Sequence, residues 1–259
     1  MVPDLNLYGT QIGHSTQASI FTMIETFAAL LFAHTLADFL FQTNWMVQNK
    51  RDVTPMLAHT AVVLATAIIS TGTLHPLIFV LVALHLVIDA VKAAYFPPRL
   101  RPFLVDQAAH LASIIAVTAL QPDLWSVGIW ADLPSLPGIM VILTGLILVT
   151  QAGGYAVGLL MQPWADDTPA GLRHGGRVIG TLERGLIYLL ILTGQAAGIG
   201  FLIAAKSVLR FGAVKDEGKL SEYVIIGTLA SFGWAIIVSA GAVALLKLLP
   251  SLGIPDLLP

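Results

Sequence analysis

The 259-residue chain has no cysteine, which excludes disulfides, thiolate metal sites, cysteine nucleophiles and palmitoylation. It also has little charge. Only 11% of the residues are Asp, Glu, Lys or Arg, against about 25% in an ordinary soluble domain. The 13 basic and 15 acidic residues leave a net charge of −2, so there is no basic surface of the kind that binds nucleic acid. Alternating segments of about ten residues, the mark of a membrane β-barrel, are missing. Met1 to Thr22 contains no Lys or Arg and no short apolar core with a cleavage signature, so it reads as a polar lead-in and not a signal peptide. What the chain has in abundance is apolar residues, at 56%, with a mean hydropathy of +0.84. The class that survives is an all-α polytopic membrane protein.

A helix needs about 20 mostly apolar residues to cross the hydrocarbon. Such runs fall at 24–47, 56–72, 74–96, 102–121, 138–161, 185–205 and 222–249. They predict six to seven transmembrane or re-entrant helices. The chain divides into a lead-in at 1–23, a polar-cored domain at 24–121, an extracytoplasmic loop at 122–137 and C-terminal membrane helices at 138–259. Basic residues in short loops mark the cytoplasmic side. Lys50 and Arg51 follow the first run, Arg99 and Arg101 the third, and Arg173, Arg177 and Arg184 the fifth. The turn near Gly72–His75 and the stretch Pro122–Pro137 carry none. The expected location is therefore the bacterial cytoplasmic membrane with the N-terminus outside. The sixth run breaks the pattern, because a full crossing would leave Lys206, Arg210, Lys215 and Lys219 outside. A re-entrant hairpin over 185–210, turning in the small-residue stretch Thr193–Gly200, would return them to the inside; an ordinary span with misplaced charges is the other reading.

The first four runs repeat. His34, Asp38 and His59 recur as His85, Asp89 and His110, each 51 residues later. Each copy holds two runs, so both enter the membrane in the same direction, as a parallel repeat.

Ionisable residues inside a span are costly and point to function. His34, Asp38 and Gln42 lie four apart on one helix face, as do His85 and Asp89, and Asp106 and His110. With the cytoplasmic ends at Val47, Phe96 and Pro102, Asp38, Asp89 and Asp106 lie roughly 14, 11 and 6 Å deep, and each partner histidine about 6 Å deeper. His59 enters from the same side. One polar centre is expected in the cytoplasmic half, with an imidazole layer beneath a carboxylate layer.

Carboxylate and imidazole without thiolate suit Zn, Mn, Fe or a related divalent ion. His34, Asp38, His59, His85, Asp89 and His110 are the candidate ligands for one or two ions. Asp106, whose counterpart in the first repeat is Pro55, is a further ligand or a general base, and Gln42 and Gln107 are candidate catalytic groups beside it. The same residues also suit a proton relay or a structural network of His–Asp pairs. Lys92, one turn from Asp89, either snorkels to the interface or holds an anionic substrate group. Asn44 and Lys50 read as interfacial.

The run Ala33-His-Thr-Leu-Ala-Asp-Phe-Leu-Phe-Gln-Thr-Asn-Trp45 with Lys50, then His85-Leu-Val-Ile-Asp-Ala-Val-Lys92 and Asp106-Gln-Ala-Ala-His110, resembles the bacterial membrane family known as domain of unknown function 3307. The resemblance covers about residues 24–121, and the segment from Arg177 to Leu229 is similar to the C-terminal part of longer members. It implies an integral membrane protein and supplies no reaction.

Further along, Arg184, Lys206 and Arg210 would hold a phosphate or lipid head group, or simply anchor the interface. Gly153, Gly154 and Gly158 suit close helix packing. The expected function is a metal-dependent membrane hydrolase acting at the cytoplasmic leaflet on a lipid-linked or phosphorylated substrate. The alternative is a transporter or channel component that moves protons or metal ions through the His/Asp cluster. A scaffold or sensor is a third reading. Beyond the bilayer and such a substrate no partner is implied, and the sequence does not set the oligomeric state.

Overall fold

The computed structural model describes the backbone over residues 5–167, 175–211 and 218–253, and side chains over 19–165, 175–208 and 220–253. The described residues form helices α1 (Leu5–Phe39), α2 (Asn44–Gln48), α3 (Val53–Thr71), α4 (Pro76–Tyr95), α5 (Leu100–Leu120), α6 (Leu136–Ile147), α7 (Gly153–Met161), α8 (Gly175–Leu192), α9 (Gly198–Phe211) and α10 (Gly218–Leu246), with no strand among them. Six helical stretches are long and apolar enough to cross a membrane: Ser19–Phe39, Val53–Thr71, Pro76–Tyr95, Leu100–Leu120, Leu136–Ala165 and Leu220–Leu246. The chain is an integral membrane protein of all-α class. It divides into two compact units, the first comprising Met1–Tyr95, Asp106–Val141 and Leu245–Leu252, the second Phe96–Val105, Ile142–Ala244 and Gly253–Pro259.

In the first unit α1 packs along α3 and α3 along α4. Lipid is as apolar as leucine, so close approach and interhelical bonds hold membrane helices together. Buried Ala33 and Ala37 on α1 and Ala67 on α3 permit that approach, and Val63, Ile78 and Val82 fill the space around them. One end of the unit is closed by the loop after α5. Thr26 donates to the Pro122 carbonyl at 2.7 Å and accepts from the Trp125 amide at 3.0 Å. The Trp130 indole donates to the Ile69 carbonyl at 2.7 Å. The turn near Gly72 and the loop from Pro122, both without basic residues, thus share one end. Lys50 and Arg51 lie at the other, where Arg51 Nε donates to the Ala93 carbonyl at 3.0 Å.

Helix ends differ from the hydropathy runs in three places. The lead-in is helical from Leu5, and the first run stops at Phe39 and restarts as α2. Thr43 causes the restart: its hydroxyl accepts from the Met46 amide and caps α2. The sixth run is two helices. α8 ends in a turn where Gly194, at φ 70°, takes the left-handed conformation, with Gln195 N–H bonded to the Leu190 carbonyl and Gly194 N–H to that of Ile191. This pairing is the Schellman ending that glycine favours. The Lys206 ammonium meets the Glu183 carboxylate at 2.6 Å, so α9 runs back along α8 as a hairpin.

The second unit is built around a π-helical segment, Leu148–Ala152, between α6 and α7. A π turn releases carbonyls from the regular ladder. Buried Arg184 donates to Val149 O at 2.6 Å, to Thr150 O at 3.0 Å, which also accepts from the Gly153 amide, and to Ser231 Oγ at 3.0 Å. The Trp234 indole donates to Leu148 O at 2.9 Å. Gly153 makes room for both: a Cβ there would lie 2.7 Å from Trp234 and 3.0 Å from Arg184. Gly158 has open space around it instead.

Candidate metal centre

α1, α3, α4 and α5 each deliver polar side chains to one point in the first unit. The i,i+4 spacing stacks each His–Asp pair on a single face, and the buried faces of these helices converge. His59, His85, Asp89, Asp106 and His110 are buried, and His34 nearly so. The rings of His85 and His110 stack with centroids 4.1 Å apart, and His34 lies 4.9 Å from His110.

Asp38, His59 and His85 offer ligand atoms that lie within 4.8 Å of one another, and Asp89 adjoins them. His59 Nε2 is 3.2 Å from His85 Nε2, 3.3 Å from Asp38 Oδ1 and 3.2 Å from Asp89 Oδ2. His85 Nε2 is 3.4 Å from the same Asp38 oxygen and 3.6 Å from the same Asp89 oxygen. Nitrogen and oxygen ligands about 2.0–2.2 Å from an ion stand about 3.3–3.6 Å apart at the corners of a tetrahedron. The measured edges match that figure. One imidazole–imidazole hydrogen bond and the His–Asp ion pairs account for only part of this crowding. One imidazole nitrogen offers one proton or one lone pair, yet His59 Nε2 faces three polar atoms. Asp38 Oδ1 and Asp89 Oδ2, both buried, have no hydrogen-bond partner. An uncompensated buried carboxylate oxygen is costly, more so inside a bilayer. The residues present therefore fit a divalent ion.

A second group adjoins the first. His110 Nε2 lies 3.8 Å from Asp89 Oδ1 and 3.6 Å from Asp106 Oδ1, and His110 Nε2 and Asp106 Oδ1 are likewise without hydrogen-bond partners. Asp89 thus faces both groups, one oxygen to each. His34, His85 and His110 form a further group able to hold an ion, and His34 Nε2 also donates to Gln107 Oε1 at 3.3 Å. Gln107 in turn donates to Asp38 Oδ2 at 3.4 Å and Asp106 Oδ2 at 3.2 Å, bridging the two carboxylates.

Two lysines close the shallow side. Lys92 Nζ is 2.6 Å from Asp106 Oδ2, and Lys50 Nζ is 2.8 Å from Asp89 Oδ1. Burial draws the Lys50 pKa down, but Asp89, Asp38 and Asp106 outweigh it and hold the ammonium above its ordinary value. Lys50 reads from sequence as interfacial; its role is visible only because the break at Thr43 folds α2 back over the mouth. With neutral imidazoles, three carboxylates against two ammoniums leave one negative charge, which suits a cation. On the deep side a cavity of about 20 Å³ is lined by His34, His85 and His110 and then by Leu30, Ala33 and Ile114. It has room for about one water molecule.

The other candidates fall elsewhere. Gln42 is half-buried, with its amide nitrogen unpartnered and no bond to the centre. Arg184 and Lys206 lie in the second unit, bonded to the π segment and to Glu183. The side chain of Arg210 lies outside the described residues, as do Arg173 and Lys215. The 51-residue spacing is a match of residue identities only, and the structure does not confirm a repeat: α2 has no counterpart between α4 and α5, and Asp106 has none in the first copy.

Residues 26–130 match the model of the family described as "Protein of unknown function (DUF3307)". This is the family whose motifs the sequence resembles, and the stretch contains every residue of the centre. No curated protein and no solved structure matches the chain.

Proposed function

We propose that the chain is a metal-dependent hydrolase of the cytoplasmic leaflet, acting on a lipid-linked or phosphorylated substrate. The observation that carries this reading is the group of ligand atoms from Asp38, His59, His85 and Asp89, whose His–His and His–Asp separations of 3.2–3.6 Å are close to those around a tetrahedral ion. A Zn, Mn or Fe ion held there supplies Lewis acidity toward an acyl or phosphoryl oxygen and lowers the pKa of water. Asp106, beside the four, is the general base that receives the proton. Gln107 orients Asp38 and Asp106, and Lys92 pairs with Asp106 and faces an incoming anion. His110 and Asp89 Oδ1 offer a second position for an ion. The loop charges support an inner-membrane protein with its N-terminus outside. In that arrangement α8 and α9 form a re-entrant hairpin.

Transport is the second reading. A relay of protons or ions needs polar groups that continue across the membrane, and beyond the imidazoles the cavity is lined mainly by Leu30, Ala33, Leu81 and Ile114, with Ser113 as the further polar side chain.

Elemental analysis of the detergent-purified protein tests the proposal. The wild type is expected to hold stoichiometric transition metal, and Asp38→Ala with Asp89→Ala to retain less than about a tenth of it. A metal-free wild type overturns the hydrolase.

A further inference from the structure

Beside the centre, where Lys50 reaches Asp89, the first unit has a groove of about 440 Å³ between the start of α3 and the end of α4. Its two walls differ in chemistry. At the mouth stand Lys50, Arg51 and Asp52, two cations to one anion. Arg51 is exposed, and its guanidinium is fixed in place through Nε on the Ala93 carbonyl. Farther in, the lining is apolar: Met56 and Leu57 from α3, and Leu86 and Ala90 from α4. Leu86 lies nine residues before Tyr95, or about 13 Å into the helix. Helix ends mark the level of the head groups, so the cations sit where lipid phosphates sit and the apolar wall where their chains begin.

We propose that this groove binds the phosphate-bearing end of an anionic lipid, with Lys50 and Arg51 on the phosphate and α3 and α4 along the chain. It deepens the hydrolase reading and rests on it for the consequence that follows: the substrate reaches the centre sideways from the bilayer. Lys50 is the link, since its ammonium lies within 2.8 Å of Asp89 and also lines the groove. A soluble phosphate shares the head-group chemistry but has no use for the apolar wall.

The test is retention of radiolabelled dioleoylphosphatidic acid by the full-length protein in detergent, with dioleoylphosphatidylcholine and glycerol 3-phosphate as comparisons. Phosphatidic acid is expected to be retained over phosphatidylcholine. Arg51→Glu should lower its retention by at least about fivefold, the worth of one interfacial charge, and Arg51→Lys should preserve it. Leu57→Trp, which fills the groove, should also lower it; if that variant loses the metal of the centre, Ala94→Trp on the opposite wall replaces it. Equal retention of the two lipids, or retention that survives both the charge reversal and the filled groove, overturns the proposal. Displacement by glycerol 3-phosphate as effective as that by phosphatidic acid overturns the lipid and assigns a soluble phosphate. Metal measured on the same samples keeps the two readings apart. A metal-free wild type that still binds phosphatidic acid through Arg51 and Leu57 ends the hydrolase and leaves the groove.

Discussion

Each His–Asp pair in the centre is an i,i+4 pair, and spacing alone puts such a pair on one helix face. Its use depends on neighbours from other helices, as Asp89 shows by facing His59 from α3, His110 from α5 and Lys50 from the loop. Arg184 makes the opposite point. From sequence it is a candidate head-group clamp; in the structure three of its donors hold Val149, Thr150 and Ser231, and it also lines, with Lys206, a cavity of about 310 Å³. Removing it takes the guanidinium donor from the buried Val149 carbonyl. Arg184→Met is expected to destabilise the protein by about 3 kcal/mol, seen as a lowered midpoint of thermal unfolding in detergent, while leaving the metal content of the first unit unchanged. Unfolding at the wild-type temperature would return Arg184 to the role of a ligand-binding side chain.

At the scale of the helices, hydropathy located the six candidate spans but misplaced ends wherever a local signal intervened. The cap at Thr43 is one case. It ends α1 at Phe39, so Asp38 sits in the last turn and not about 14 Å deep. The π segment is another: nothing within Leu148–Ala152 requires it, because its carbonyls are satisfied by side chains at 184 and 234. Gly72 combines a local and a tertiary demand. It closes α3 at φ 67°, and a Cβ there would come within 2.7 Å of Trp130 and 3.0 Å of the Ile129 amide. Gly253 has the same φ and open space around it. Gly72→Ala and Gly253→Ala both meet a left-handed backbone cost of about 1 kcal/mol, and only Gly72→Ala also displaces the loop. Thermal unfolding should therefore show a distinctly larger loss for Gly72→Ala; equal losses would mean that the Trp130 contact contributes nothing.

For the whole molecule, the absence of cysteine makes the topology directly testable. Single cysteines introduced at Ser126, Asn44 and Gln195 report on the loop after α5, the centre's mouth and the tip of the α8–α9 hairpin. In intact spheroplasts Ser126→Cys is expected to react with a membrane-impermeant maleimide, and Asn44→Cys only after permeabilisation. Gln195→Cys should stay slow from outside. A rate matching that of Ser126→Cys would make α8 a full crossing and carry Lys206 to the outer face.

Composition and periodicity were enough to establish a helical membrane protein, and the rarity of charge inside apolar runs picked out His34, Asp38, His59, His85, Asp89, Asp106 and His110. Both follow from the solvent: a bilayer admits few polar groups, so those that enter stand out one residue at a time. Tertiary structure alone decided which of them share a site, that His34 serves Gln107 while His59 faces two carboxylates, and that Lys50 closes the mouth. Those facts are distances between helices, and the sequence records only distances along one.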